Sequence, residues 1–438
     1  MTKTIRFNLD GNEISAAPFE TIWQAAKRAG CEIPHLCHLD APGYRSDGNC
    51  RACMVEIGGE RVLAASCIRQ PTEGMQVKTG SERAVKARAM IFEMLAADQP
   101  PPAKAHDVQS AFWQWSAKVG VGESRMPARQ AVAADFSHPA MAVQLDACIQ
   151  CNLCVRACRE VQVNDVIGMA GRGAHAKIVF DFDDPMGIST CVGCGECVQA
   201  CPTGALMPAS LVDATGVGSS AADKVVPSVC PYCGVGCQIN YFIKDKRIAY
   251  VEGRDGPANQ NRLCVKGRFG FDYVDHPHRL RRPLIRRGDV PKQVDPDIDP
   301  AHPLSHFREA SWEEALQIAA GGLTAIRERD GNRALAGFGS AKCSNEEAYL
   351  FQKLVRTGFR NNNVDHCTRL CHASSVAALL ETIGTGAVTA PFTDALKAEV
   401  IIVIGANPTE NHPVAATYFK QAAKRGAKLI VMDPRGQA

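Results

Sequence analysis

Cysteines at short, recurring spacings are the residues best suited to chemistry in this sequence, and their chemistry would be metal binding. The chain has 438 residues and 20 cysteines. Disulfide scaffolds are short secreted chains, whereas this chain is long, and its polar first ten residues lack the apolar core of a signal peptide. We therefore expect a protein of the reducing cytoplasm whose cysteines bind metal.

Charge and hydropathy exclude several classes of partner. Lys and Arg number 49 and Asp and Glu 46, so no basic stripe favours a nucleic acid. No apolar run approaches the roughly 18 residues of a membrane-spanning helix. The hydrophobic fraction of 46% is ordinary for a chain that buries sizeable cores. We expect neither a nucleic acid nor a membrane as partner.

The most specific pattern is a duplicated run of four cysteines separated by two, two and three residues. Three thiolates at this spacing bind three corners of one 4Fe–4S cubane, and the displaced fourth binds the other cubane. The alternative is a pair of zinc sites, which use cysteine pairs rather than interleaved runs. Crossed ligation predicts one cubane on Cys148, Cys151, Cys154 and Cys201 and a second on Cys191, Cys194, Cys197 and Cys158.

An upstream group of cysteines fits a 2Fe–2S cluster. An isolated cysteine, a close pair and a distant fourth follow the plant-type order, although 12 residues fill the first gap instead of four. Gly43 and Gly48 in the intervening loop suit backbone that wraps closely around a flat cluster. A zinc ribbon is the alternative. The predicted ligands are Cys37, Cys50, Cys53 and Cys67, with Cys31 as a buried apolar residue.

A third group, Cys230-Pro-Tyr-Cys233-Gly-Val-Gly-Cys237 with Cys264, can bind a single cubane. The two glycines remove side chains where the backbone must bend close to sulfide. Lys266 follows the last cysteine by two residues. Its ammonium group could join the cluster to another anionic cofactor, or it could be a solvated surface lysine.

The C-terminal third contains two features whose function the residues alone leave open. Cys371-His372 places a metal ligand beside a proton-transfer group, but such a pair could equally pack in a core. Gly405-Ala-Asn407-Pro-Thr-Glu410 follows a predicted strand and precedes a helix, where open α/β sheets bind nucleotides. It is neither a Walker A loop nor G-x-G-x-x-G. Asp433, after the next strand, is consistent with binding a ribose or guanine.

The elements that must position these residues predict a multidomain chain of α+β and α/β class. Short strands and a helix capped by Thr21 precede a helix that begins at Ser81. Capping-box sequences begin at Ser311 and Ser344, and a βαβ pattern over residues 400–432 predicts a parallel sheet. The predicted divisions are 1–80, 81–140, 141–211, 226–282 and 306–438.

The order of these motifs resembles the alpha subunit of cytoplasmic, NAD-dependent molybdenum or tungsten formate dehydrogenases along the whole chain. Cys-Pro-Tyr-Cys-Gly-Val-Gly-Cys and Leu-Cys-Val-Lys-Gly-Arg are similar to the family's cluster motif beside the pterin. Asn-Asn-Val-Asp-His-Cys-Thr-Arg-Leu-Cys-His resembles the segment whose last cysteine binds the metal. The resemblance implies a β-grasp 2Fe–2S domain like that of the large iron–sulfur subunit of complex I, a connector without a cluster, a two-cubane ferredoxin domain, and a 4Fe–4S/molybdopterin oxidoreductase module.

The resemblance also implies roles for individual residues. Cys371 becomes the Mo or W ligand, His372 the adjacent catalytic histidine, and Lys266 the link between the proximal cubane and one pterin. The cradle for a bis-molybdopterin guanine dinucleotide cofactor would include Gly405, Asn407, Glu410, Asp433 and Arg435.

The implied activity is reversible oxidation of formate to CO2. Electrons would leave through three 4Fe–4S clusters and one 2Fe–2S cluster to a beta subunit that carries FMN and binds NAD. Three alternatives are an electron-conducting iron–sulfur subunit without Mo or W chemistry, a relative acting on another substrate such as nitrate, and a zinc protein.

Two departures from the family pattern affect these expectations. Residues 68–147 contain no cysteine, so the histidine-and-three-cysteine cluster of many relatives is expected to be absent. The family module continues beyond Ala438, so the arginine that binds formate and the cap over the second pterin would lie outside this sequence. The resemblance therefore implies a truncated subunit, or a split enzyme completed by a further chain.

Overall fold

The structure is a computed structural model that describes residues 4–128, 132–293, 298–299 and 301–436. It contains two compact units, Met1–Asp272 together with Pro391–Ala438, and Tyr273–Ala390. The C-terminal part of the predicted 306–438 domain belongs to the first unit, and the predicted domain boundaries stay predictions.

The regular elements are short and follow one another closely along the chain. The strands are β1 (Ile5–Leu9), β2 (Asn12–Ala16), β3 (Met54–Ile57), β4 (Ala64–Ala65), β5 (Gln76–Lys78), β6 (Met141–Val143), β7 (Ile167–Ala170), β8 (Lys177–Phe180), β9 (Leu206–Pro208), β10 (Lys224–Val229), β11 (Gln238–Lys244), β12 (Arg247–Gly253), β13 (Leu284–Arg286), β14 (Phe307–Glu309), β15 (Gly337–Gly339), β16 (Val364–His366), β17 (Val400–Ile404) and β18 (Lys428–Met432). The α-helices are α1 (Ile22–Arg28), α2 (Glu82–Ala96), α3 (Ala111–Lys118), α4 (Leu153–Arg156), α5 (Glu196–Ala200), α6 (Val265–Phe269), α7 (Trp312–Asp330), α8 (Asn345–Lys353), α9 (Thr368–Cys371), α10 (Ala373–Ile383), α11 (Pro408–Asn411) and α12 (Pro413–Lys424). None of the helices in the described part of the chain combines the length and apolar character needed to cross a membrane.

A mixed sheet in the order β2-β1-β5-β3-β4 forms the N-terminal part of the first unit. β1 and β5 are parallel, and the other neighbours are antiparallel. Thr21 caps α1 with a reciprocal capping box to Gln24, as predicted. The α1 residues Ile22 and Trp23 share a buried core with Phe7 of β1. This sheet with one packed helix holds the loop that carries Cys37 and Cys50.

The predicted connector of residues 81–140 packs into the core around the central cysteines. The Ser81 side chain accepts a hydrogen bond from Ala84 N at the start of α2, which confirms the predicted cap. Phe92 of α2 and Phe112 of α3 are fully buried in the core that also contains Cys148 and Cys154. The connector therefore supports the ferredoxin-like region rather than spanning solvent.

The C-terminal end of the first unit is the predicted βαβ unit. β17 and β18 are parallel, with Val400 opposite Lys428 and Ile404 opposite Met432. Their connection contains α12, whose residues 414–418 are buried. This order places the loop after β17 at the carboxyl end of a parallel strand, as the sequence predicted.

The Tyr273–Ala390 unit contains two small sheets, β13–β14 antiparallel and β15–β16 parallel. Ser344 caps α8 with both hydrogen bonds of a capping box. The expected box at Ser311 is only half formed: Ser311 accepts from Glu314 N, but the Glu314 carboxylate binds Arg308 instead. The Arg308–Glu314 ion pair takes the place of the expected hydrogen bond from Ser311 N to the Glu314 carboxylate.

Candidate metal centres

The four N-terminal cysteines converge in the interior of the first unit. Cys37, Cys50, Cys53 and Cys67 are all buried. Cys37 N donates to Cys50 Sγ and Cys50 N to Cys37 Sγ, each at 3.4 Å. Hydrogen bonds from the Cys50 and Cys67 side chains lower the pKa of Cys37 well below its usual range, and one from Cys67 lowers the pKa of Cys53 to about 7. The same hydrogen bonds to Cys37 raise the pKa values of Cys50 and Cys67, so the four sulfurs form one tightly interacting group. Thiols bind iron in their thiolate form.

Gly48 supplies an independent test of whether this loop fits a cluster. Its φ of +66° lies in the left-handed region, and a Cβ there would approach Ile68 Cδ1 to 2.9 Å. Only glycine therefore lets the loop lie this close to the Cys67 segment. The four thiols and the tight loop fit a 2Fe–2S cluster.

The duplicated cysteine runs adopt duplicated backbone geometry. Gln150 and Asn152 have φ of 56° and 66°, and the corresponding Gly193 and Gly195 have φ of 64° and 66°. Gln150 N donates to Cys148 Sγ at 3.4 Å, and Gly193 N donates to Cys191 Sγ at 3.4 Å. Backbone N–H groups thus point at sulfur in both runs, as a cluster with anionic thiolates favours.

The neighbours of each thiol separate these cysteines into two groups. Burial raises the pKa of Cys151 and Cys154, and the nearby Cys148 and Cys201 thiolates raise it further. Burial and the Cys158 thiolate likewise raise the pKa values of the second run, Cys191, Cys194 and Cys197. The fourth cysteine of each run therefore lies beside the other run, which is the placement that crossed ligation requires. Among the described residues no three His, Cys, Asp or Glu side chains converge as ligands of a single metal ion do, so the ligand sets stay predictions.

The third group surrounds one small cavity between the β10–β11 loop, the start of α6 and the start of α12. Burial and the thiolates of the other three cysteines raise the pKa of Cys237 to about 12. Gly236 has a φ of +65°, which explains the glycine at this turn. A Cβ on Gly267 would lie 3.4 Å from Cys230 Sγ. The residues that line the cavity include Cys230, Cys233, Cys237, Cys264 and Lys266.

Lys266 is brought next to the predicted nucleotide loop. Its Nζ donates to the backbone oxygen of Glu410 at 3.3 Å, and its side chain is exposed. Gly405, with a φ of +59°, begins this loop, and its N–H donates to Met432 O at 2.9 Å. The lysine predicted to link cluster and pterin therefore contacts the loop predicted to hold the cofactor.

The remaining predicted cradle residues also lie at the carboxyl ends of β17 and β18. Thr409 Oγ1 donates to Asn407 Oδ1 at 2.5 Å within the loop. Arg435 N donates to Asp433 Oδ1 at 2.8 Å, and both residues follow β18. A carboxylate and exposed backbone at parallel strand ends suit a nucleotide, and the pterin contacts stay a prediction.

Cys371 and His372 lie in the Tyr273–Ala390 unit, where α9 ends and α10 begins. Both side chains are exposed. The backbone bends at His372, whose φ is −144°, so that α10 starts in a new direction. An exposed thiol next to an exposed imidazole is chemically available, and the roles of the two residues stay predictions.

The sequence did not reveal a buried charged network beside the second cysteine run. Arg268 Nη2 and Glu196 Oε2 are 3.3 Å apart, and the two side chains are only 2% and 3% exposed. Tyr44 OH donates to Glu196 Oε1 at 3.0 Å, and Arg268 Nε donates to Cys194 O at 2.8 Å. The network therefore joins residues of three predicted domains. Charged residues are ordinarily exposed, so only the tertiary structure identifies this one.

We expect Glu196→Gln to destabilise the folded protein by about 3 kcal/mol, since it removes the carboxylate that pairs directly with the buried Arg268 guanidinium. Urea unfolding of the cluster-loaded protein measures the effect as a lower midpoint. Glu32→Gln is the control, because Glu32 pairs with Lys118 at the surface at 2.8 Å and its loss should leave the midpoint unchanged. Equal midpoints for Glu196→Gln and Glu32→Gln would contradict the importance assigned to the buried pair.

Comparison with known domain families follows the order of the cysteine groups. Residues 2–82 match a 2Fe-2S iron-sulfur cluster binding domain, and residues 147–205 match a 4Fe-4S dicluster domain. Residues 223–276 match the molybdopterin oxidoreductase Fe4S4 domain, and residues 279–438 match molybdopterin oxidoreductase. Residues 223–438 therefore match the two molybdopterin oxidoreductase domains in succession. The predicted order of the iron–sulfur and molybdopterin oxidoreductase domains and the predicted fold class are confirmed.

Curated relatives align over nearly all of this chain. The probable oxidoreductase YjgC of Bacillus subtilis is 33% identical over 99% of this chain and 46% of its own length. The putative formate dehydrogenase YrhE of the same organism is 31% identical over 99% of this chain and 47% of its own length. A putative formate dehydrogenase of Staphylococcus aureus is 30% identical over 99% and 46%. The chain spans just under half the length of these relatives.

Solved structures share less with this chain. An NAD+-reducing NiFe-hydrogenase in its H2-reduced state has a TM-score of 0.43 and 28% identity, covering 47% of this chain and 87% of that chain. Acetylene hydratase from Pelobacter acetylenicus has a TM-score of 0.38 and 20% identity, covering 48% of this chain and 27% of that chain. Neither likeness extends to half of the chain.

Proposed function

We propose that this chain is the catalytic subunit of a cytoplasmic formate dehydrogenase that oxidises formate reversibly to CO2. The molybdopterin oxidoreductase region and its three preceding iron–sulfur regions support the proposal, as do relatives named putative formate dehydrogenases. The observation that carries it is the exposed Cys371-His372 pair within the molybdopterin region. A region that only conducts electrons needs neither a thiol nor an imidazole at such a position.

The donor set of the chain fits a molybdenum or tungsten bis-molybdopterin guanine dinucleotide. When bound, that cofactor supplies two-electron redox chemistry at soft sulfur ligands. Cys371 would provide a further soft ligand, and the His372 imidazole would accept a proton at a ring nitrogen. Lys266 holds the Gly405–Glu410 loop through Glu410 O and offers its remaining N–H donors to an anionic cofactor.

The four predicted cluster-binding groups all lie within the first unit. Burial raises the pKa values of Cys151 and Cys154, and the Cys37 and Cys197 thiolates raise them further, respectively. Arg268, four residues beyond Cys264, donates to Cys194 O. These interactions support a series of one-electron carriers. The Cys230–Cys264 group would hold one cubane, the paired runs two more, and the Cys37 group a 2Fe–2S cluster, and together they would supply one-electron transfer to an FMN-containing beta subunit that binds NAD.

The direct test adds formate to the anaerobically purified enzyme, together with the polypeptides that co-purify with it. We expect the visible absorbance of the iron–sulfur clusters to bleach, and NAD+ to restore it only when the flavin subunit is present. Clusters that dithionite reduces but formate leaves oxidised, in protein shown to contain Mo or W, would contradict the proposed substrate.

A further inference from the structure

Helix α12 bridges two of the cluster-binding regions in the first unit. Tyr418 OH donates to Ala258 O at 2.9 Å, in the segment that precedes Cys264. Gln421 Nε2 donates to Glu160 O at 2.9 Å and to Val161 O at 3.1 Å, just beyond Cys158. The helix therefore holds its intervening residues against the second predicted cubane of the pair.

Lys420 is the residue of this helix that faces that cubane. Its Nζ donates to Asn164 Oδ1 at 2.7 Å. Asn164 N donates to Cys158 O at 2.8 Å, and its Nδ2 lies 3.9 Å from Cys194 Sγ. One amide side chain thus separates the lysine ammonium from a predicted ligand sulfur.

The partly buried position of Lys420 strengthens the effect of its charge on the neighbouring cysteine sulfurs. The side chain is only partly exposed, and burial lowers the pKa of Lys420. The Cys194 and Cys158 thiolates oppose that shift, followed by Asp165. A charge in such a place is screened less than one at the surface, so it acts more strongly on groups nearby.

We propose that Lys420 raises the reduction potential of the cubane bound by Cys158, Cys191, Cys194 and Cys197 and leaves the other clusters largely unaffected. Reduction adds one electron to a cluster that is already anionic, and a nearby positive charge stabilises the reduced form. Net charge, hydrogen bonds to sulfur and solvent exposure set the potentials of such clusters. Lys420 supplies positive charge. The Asn164 side chain lies between the Lys420 ammonium group and Cys194 Sγ.

This inference rests on the proposed function, because it requires that these four cysteines bind a cubane. Lys420 would stabilise an electron on this cubane and would not contact the substrate. The cubane beside Lys420 would then accept an electron more readily than it would without that charge.

A redox titration of the complete enzyme, followed by electron paramagnetic resonance, tests the inference. We expect Lys420→Met to lower the midpoint potential of one cubane by about 59 mV, a tenfold change in a one-electron equilibrium constant. The affected signal should be the one that Cys158→Ser removes. Lys420→Arg keeps the charge and should restore the original potential.

Lys424→Met is the matched control on the same helix. Lys424 lies one turn further on, is exposed, and binds the Asp165 carboxylate at 2.9 Å. Solvent screens its charge, so its loss should leave all potentials in place. If Lys420→Met fails to assemble the cubane, Lys420→Gln removes the charge but keeps an amide donor for Asn164, and it carries the same expectation.

The outcomes separate this inference from the proposed function. An unchanged potential in an assembled Lys420 variant would overturn the inference, as would equal shifts in every cluster, which indicate a loosened fold. Absence of the cubane signal from the unaltered enzyme would instead overturn the assigned cysteine ligands. A selective shift that arginine reverses supports the role of Lys420.

Discussion

Replacing Cys371 by alanine should abolish formate oxidation while the iron content of the enzyme stays unchanged. The thiolate of Cys371 is the predicted protein ligand of Mo or W, and loss of a direct ligand should cost more than the roughly 100-fold seen when an outer-shell partner is lost. The side chain is exposed, so its truncation leaves no buried cavity. Formate-dependent reduction of an artificial electron acceptor measures the activity, and elemental analysis measures the iron.

Cys367→Ala is the matched control for this variant. Cys367 is also exposed and lies one turn before Cys371, where its Sγ accepts a hydrogen bond from Ala341 N at 3.3 Å. Its removal should leave most of the formate oxidation in place. Full turnover in the Cys371 variant would show that the ligand assignment is wrong.

Replacing Cys158 by serine should remove the cubane of the other cysteine run. Cys158 belongs by sequence to the run that begins at Cys148, yet its thiolate lies among those of Cys191, Cys194 and Cys197. Serine is a poor ligand for iron because its oxygen is hard and ordinarily protonated. Electron paramagnetic resonance of the reduced enzyme should therefore lose the signal of one of the three cubanes and keep those of the other two.

Cys201→Ser provides the reciprocal control. Its thiolate lies beside Cys151 and Cys154, so the signal that it removes should be one of the two that Cys158→Ser retains. Two variants that abolish the same signal would be incompatible with crossed ligation. So would loss of the Cys148 cluster in the Cys158 variant.

Local chemistry explains which parts of the structure the sequence predicted. A hydroxyl at a helix start bonds the N–H groups within its own turn, so the caps at Thr21, Ser81 and Ser344 form as expected. The apolar run of β17 and the amphipathic α12 predicted a parallel βαβ unit, which the structure contains. Cysteine spacing predicted the four groups because several ligands of one cluster come from a short segment that wraps around it.

Features that depend on distant contacts were not predictable in this way. The Glu196–Arg268 pair and the Lys420–Asn164 contact join segments that are remote in sequence. Gln150 and Asn152 adopt positive φ values, which residues other than glycine rarely do. These values match those of Gly193 and Gly195 at the same positions of the second cysteine run. At Ser311 the competing partner of Glu314 lies outside the helix, so the local motif predicted one bond too many.

The central claim is that four cysteine groups bind iron–sulfur clusters leading to a molybdenum or tungsten site. Its most direct test is elemental analysis of the enzyme prepared without air, with iron, acid-labile sulfide, molybdenum and tungsten counted per chain. We expect iron and sulfide matching one 2Fe–2S and three 4Fe–4S clusters, with Mo or W also bound. Colourless, iron-free protein, or zinc in place of iron, would contradict it.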